Sequence, residues 1–167
     1  LFSPGFYPDN GYLFLAPVMA HLWDWVDIDD EDNIATYQSL PTRGAALYYR
    51  SVSAVQKNLE TARFDKPVLI TMSQHDSVLD PSATLDAFQT RFPNQQSRFV
   101  WYGDTPQELD DPRVTALASN LPDRRISTFS HMNVLFAPEN FYYGEKGSHI
   151  IFDNGQDGIS PPEDTET

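Results

Sequence analysis

An α/β fold is predicted for this 167-residue chain. Val68-Leu69-Ile70-Thr71-Met72 is a continuous apolar run that suits a strand buried on both faces. A helix is expected from Ser82 to about Arg91, with Pro81 at its first position, followed by a second strand from Ser97 to Tyr102. Strand, loop, helix and strand within about forty residues make a β-α-β unit, whose crossover should be right-handed in a parallel sheet. The content of 40% hydrophobic and 13% aromatic residues is enough to fold one domain.

The remaining elements follow in chain order. Leu1-Phe2-Ser3-Pro4 reads as the end of an apolar strand stopped by Pro4, with Gly5, Pro8, Asp9, Asn10 and Gly11 in the loop behind it. Tyr12 to Val26 is dense in Leu, Met, Phe and Trp and reads as one or two short helices. Asp27 to Asn33 holds five carboxylates in seven residues, which burial would penalise prohibitively, so a solvated loop is expected. Gly44 to Ala62 carries Ala45, Leu47, Tyr48, Val52, Val55 and Leu59 at helical spacing. Past Gly103, an acidic connection runs from Thr105 to Asp123, with a short helix read near Val114 to Ala118 and a short strand over Arg125 to Phe129. Pro161 to Thr167 reads as a frayed tail or linker.

Charge and composition narrow the function classes. Eleven Lys plus Arg against 24 Asp plus Glu give a net charge of −13, which opposes binding to nucleic acid and to anionic membranes. No stretch approaches the roughly 18 apolar residues of a membrane span, so no stable membrane insertion is expected. A soluble chain is expected, its compartment undetermined and the cytoplasm slightly favoured. Without Cys there is neither a disulfide framework nor a thiolate site. Asp27, Asp29 and Glu31 imitate the start of a calcium loop, but Asp32 stands where Gly is required and Gln38 where the bidentate acid belongs, so neither metal nor cofactor is expected. The turn-like run from Asp153 to Gly158 is a weaker imitation still.

In open α/β sheets reactive groups collect on loops at the carboxyl ends of strands. Two such loops stand out: Ser73 to Pro81, carrying Asp76, and Thr128 to Asn133, carrying His131. An Asp that orients a His, which then serves as base and acid, is two thirds of a Ser-His-Asp relay. Asp76 is weighed against a loop-capping role, His131 against that of a hydrogen-bonded loop histidine. Asp80, just before Pro81, is better explained as a helix N-cap and is the fallback acid. His75 adjoins Asp76, but adjacent side chains point apart; His21 and His149 have no nameable partner.

The order Asp then His matches the α/β-hydrolases, where the nucleophile comes first on a Gly-x-Ser-x-Gly turn that this chain does not contain. Leu1-Phe2-Ser3-Pro4 looks like the strand after the nucleophile helix, Gly5 to Arg63 like a lid with its return helix, Lys66 to Ile70 with Asp76 like the acid strand and loop, and Ser130-His131 like the histidine loop. Over roughly residues 1–145 the chain thus resembles the C-terminal half of an α/β-hydrolase of the monoglyceride lipase, lysophospholipase and serine carboxylesterase type. It departs from the family pattern at Ser73, where Gly is frequent, and at Phe129 and Ser130, where Gly or Ala is frequent; its connection from Tyr102 to His131 is long.

The resemblance implies residues 1–4 as the end of a core strand, 5–42 as lid, 43–145 as C-terminal core and 146–167 as an extension. It also implies ester hydrolysis by the intact protein, with the nucleophilic Ser and oxyanion hole upstream of Leu1, so that the chain alone is inactive. Phe14, Leu22, Trp23 and Trp25 are expected either in the core or lining an acyl pocket. The acidic surroundings point to a neutral ester or monoacyl lipid as substrate. An incomplete sheet would expose an unpaired edge, which predicts self-association or a remnant of proteolysis. The alternative is a non-catalytic acidic α/β binding module or pseudoenzyme.

Overall fold

The computed structural model describes residues 1–28, 39–103, 111–121, 128, 129 and 131. The chain is of mixed α/β class, centred on a three-stranded parallel sheet of order β3-β4-β5, formed by Leu69–Ser73, Arg98–Gly103 and Val114–Ala118. Residues 1–3 extend this sheet on the free side of β3. Phe2 bridges Thr71 in parallel, the Thr71 N–H donates to the Leu1 carbonyl at 3.0 Å, and the Ser3 N–H donates to the Thr71 carbonyl at 2.9 Å. Strand β3 is the apolar run expected, shifted by one residue. Its Ile70 and Met72 are fully buried, whereas Leu69 is exposed, so the strand is not covered along its whole length.

Helix α3 (Pro81–Arg91) links β3 to β4 and begins where Pro fixes φ and Asp80 caps. The Asp80 carboxylate accepts from the Ala83 N–H at 2.9 Å, an N-cap worth about 1 kcal/mol, which accounts for Asp80 without a chemical role. Between α3 and the sheet lies the core of Ile70, Met72, Leu79, Phe88, Phe92, Phe99 and Trp101.

Residues 114–118 correct the expected helix, for they form β5. A five-residue run fits either state, and here an edge of β4 is available to satisfy the backbone. Arg113 anchors the strand. This buried residue donates through Nε and Nη2 to the two oxygens of Asp111, at 3.0 and 2.6 Å, through Nη1 to the Phe92 carbonyl, and stacks 4.7 Å over the Phe88 ring. The Arg113 hydrogen bonds hold the Asp111 carboxyl below the usual carboxylate range. A carboxyl depressed in the folded state stabilises it above the unfolded pKa and loses that contribution as pH falls through the folded value. The gap in urea midpoint between wild type and Asp111→Asn should therefore be wide at neutral pH and narrow below about pH 4. A gap independent of pH would show that the pair contributes no charge-linked stability.

The described segment before Thr42 is only partly helical. A 3-10 turn at Leu13–Leu15 runs into α1 (Ala16–Met19), and Trp25–Asp27 forms β1, antiparallel to β2 (Leu40–Pro41), in place of more helix. The reading of Tyr12 to Val26 as helix fails at its end because Trp25 and Asp27 pair with Pro41 and Leu40, with Val26 between them at a shift of register. Helix α2 (Thr42–Thr61) starts two residues earlier than expected and packs on α1 through Ala16, Ala45 and Ala46, small residues that let the two backbones approach. Leu47, expected on the inner face, is exposed. Asp29 to Asn33, the strand read over 125–129 apart from Phe129 and Thr128, His149, the turn-like run 153–158 and the tail lie outside the described residues. No described helix is long and apolar enough to cross a membrane.

Candidate functional site

The parallel segments end on one side of the sheet, at Ser3, Ser73, Gly103 and Ala118, and the loop carrying Asp76 leaves from there. Residues 7–9 pin this loop. Pro8 bridges Leu79, the Asp9 N–H donates to the Val78 carbonyl at 2.9 Å, and the Asp80 N–H donates to the Tyr7 carbonyl at 2.7 Å. Within the loop, Asp76 Oδ1 accepts from the Val78 and Leu79 N–H groups, both at 2.9 Å. One oxygen is thus committed to shaping the turn while the other is turned elsewhere.

That other oxygen, Oδ2, lies 2.7 Å from His131 Nδ1. The Asp76 side chain is fully buried and that of His131 is 29% exposed, so solvent reaches the pair through the imidazole. A carboxylate accepts only, so a neutral ring facing it donates through Nδ1 and keeps its lone pair on Nε2, the state of a general base. Two residues 55 positions apart are brought into contact at the carboxyl end of the sheet.

The histidine loop is fastened to the strand ends by groups that the sequence did not single out as functional. Ser3 Oγ donates to the His131 carbonyl at 2.8 Å, and Ser73 Oγ donates to the Phe129 carbonyl while accepting from the His75 N–H at 3.2 Å. The Phe129 ring packs edge-on against Tyr102 of β4, centroids 5.0 Å apart. The Ser73 contact is to a backbone carbonyl, which any residue at position 129 would offer, so the sequence carries no signal for it.

Tyr48 of α2 stands near Gly5 and within the field of Asp76. Gly5 permits its approach, since a Cβ there would lie 2.9 Å from the phenol oxygen. Burial first, then the charge of Asp76, pushes the Tyr48 hydroxyl above its ordinary pKa.

Of the other residues proposed from sequence, Asp80 is occupied as an N-cap, and His75 is not the imidazole that meets Asp76. Phe14, Leu22, Trp23 and Trp25 are all exposed, between 49% and 67%, which corrects their reading as core; the short α1 and the two-stranded hairpin offer too little surface to cover them. A cleft of about 180 Å³ between α2 and α3, lined by Tyr7, Glu60, Asp86 and Arg91 among others, contains neither Asp76 nor His131. Among the described residues no cluster of His, Asp or Glu could hold a metal ion. No protein-family model, curated protein or solved structure matches the chain.

Proposed function

We propose that this chain supplies the acid and base of a serine hydrolase that cleaves carboxylic esters, with a neutral ester or monoacyl lipid as substrate. The observation that carries the reading is the 2.7 Å contact between Asp76 and His131, made by the loop after a parallel strand and a loop later in the chain. In the proposed cycle Nε2 of His131 takes the proton of a serine hydroxyl as it attacks the ester carbonyl. The resulting imidazolium, stabilised by Asp76, returns the proton to the departing alkoxide, and water then releases the acid by the same route. The nucleophile and the oxyanion-hole amides would come from residues preceding Leu1. The parallel pairing of residues 1–3 with β3 supports this, because it sets a strand position beside the acid strand, as the resemblance implies.

The test is a chain extended upstream of Leu1 and assayed on a short-chain p-nitrophenyl ester. Hydrolysis that disappears in His131→Ala is expected. An upstream segment with no nucleophile, or an extended chain that hydrolyses nothing, would favour the non-catalytic module, whereas hydrolysis indifferent to His131 would remove the relay.

A further inference from the structure

His131 stands on a loop, so something must set how deeply its ring sits against Asp76. Two carbonyls two residues apart, those of Phe129 and His131, each receive a serine hydroxyl, from Ser73 and Ser3 respectively. The two donors stand at the ends of neighbouring parallel segments, and both residues are buried. A buried hydroxyl or carbonyl left unpaired is costly, so each contact satisfies both of its partners at once. Ser3 also adopts φ 37°, a left-handed conformation that is costly for a non-glycine residue. Glycine would occupy that position without this cost. What serine adds there is the hydroxyl on the His131 carbonyl.

We propose that Ser3 and Ser73 are positioning residues that clip the histidine loop to the sheet and hold His131 Nδ1 on Asp76. The inference rests on the relay reading for its catalytic consequence. Its geometry is independent of that reading. A relay must be held within about half an ångström of its productive arrangement, and loops achieve this only where neighbouring groups fix them. Here the fixing groups are a hydroxyl on either side of residue 130, the Phe129 ring on Tyr102, and Asp76 itself.

The experiment is nitrogen NMR of the 167-residue chain labelled at histidine, which reads the tautomer of the neutral His131 ring, with His131→Ala to assign it and Asp76→Asn as the reference for loss of the pair. Wild type should show the Nδ1–H form. In the Ser3→Ala, Ser73→Ala double variant the Nε2–H population should rise at least about tenfold, since each hydroxyl contributes roughly the strength of one net hydrogen bond. Ser3→Ala and Ser3→Gly should behave alike, because the hydroxyl acts and not the backbone strain. A loss of stability alone would not move the tautomer of the folded population. A folded double variant with an unchanged tautomer, or a Ser3→Gly variant that keeps it while Ser3→Ala does not, would overturn the positioning role and leave the relay intact. If the double variant does not fold, the Ser3 variants carry the same comparison. Conversely, ester hydrolysis that survives His131→Ala would remove the relay reading without touching the tautomer result.

Discussion

Asp76→Asn should lower ester hydrolysis by the upstream-extended protein about ten-thousand-fold, with the fold nearly unchanged. Asparagine is close in shape and keeps a carbonyl oxygen for the Val78 and Leu79 N–H groups, so the turn that Oδ1 now organises would survive. Its amide nitrogen would then face His131 Nδ1, which could only accept from it. The ring would have to carry its proton on Nε2, the atom that must be free to take the proton of serine. The loss should fall on kcat, because the interaction is needed when the imidazolium forms and contributes little to holding the substrate. Steady-state kinetics together with a urea unfolding curve would check both halves. Activity within tenfold of wild type in a folded Asp76→Asn protein would reduce the pair to a structural hydrogen bond.

Phe88→Ala should destabilise the fold by about 3–5 kcal/mol, the range for deleting a buried aromatic ring. Phe88 is fully buried in α3 and meets Phe99 of β4 edge-on at 5.3 Å and Phe92 at 6.3 Å. It also carries the Arg113 guanidinium 4.7 Å above its face. The substitution thus opens a cavity beneath α3 and strips one contact from the residue that anchors β5. Against a typical total of about 5–15 kcal/mol this is a large fraction, so denaturant unfolding should show it as a marked fall in midpoint. Leu47→Ala, on the exposed side of α2, should change stability by no more than about 0.5 kcal/mol. A loss below about 1 kcal/mol at Phe88 would place the centre of the core elsewhere.

The legible parts of the fold are those with a local cause. Strand β3 announces itself by an unbroken apolar run, α3 by Asp80 and Pro81 at its start, and the β-α-β unit by the spacing between them. Asp76 was legible because it stands in the first loop after the clearest strand, and His131 because it stands in a later loop that the sequence places after a short strand. The misread elements lack such causes. Val114 to Ala118 is short enough to be either helix or strand, and what decides is the edge of β4 and the anchoring of Arg113 on Asp111 and Phe92, neither written in those five residues. Trp25 and Asp27 likewise join a strand because Pro41 and Leu40 come back to meet them.

The α/β class, the capped helix α3 and the loop carrying Asp76 can be read from the chain alone, because apolar runs and turn chemistry are properties of neighbouring residues. It takes the assembled sheet to put Asp76 Oδ2 2.7 Å from His131 Nδ1 and to bring the Ser3 and Ser73 hydroxyls onto the His131 and Phe129 carbonyls. Those facts depend on groups as many as 128 residues apart reaching the same end of one sheet. A hydroxyl that meets a distant carbonyl leaves no periodicity behind it. Its partner is set by how strands stack side by side, which is a property of the assembled sheet.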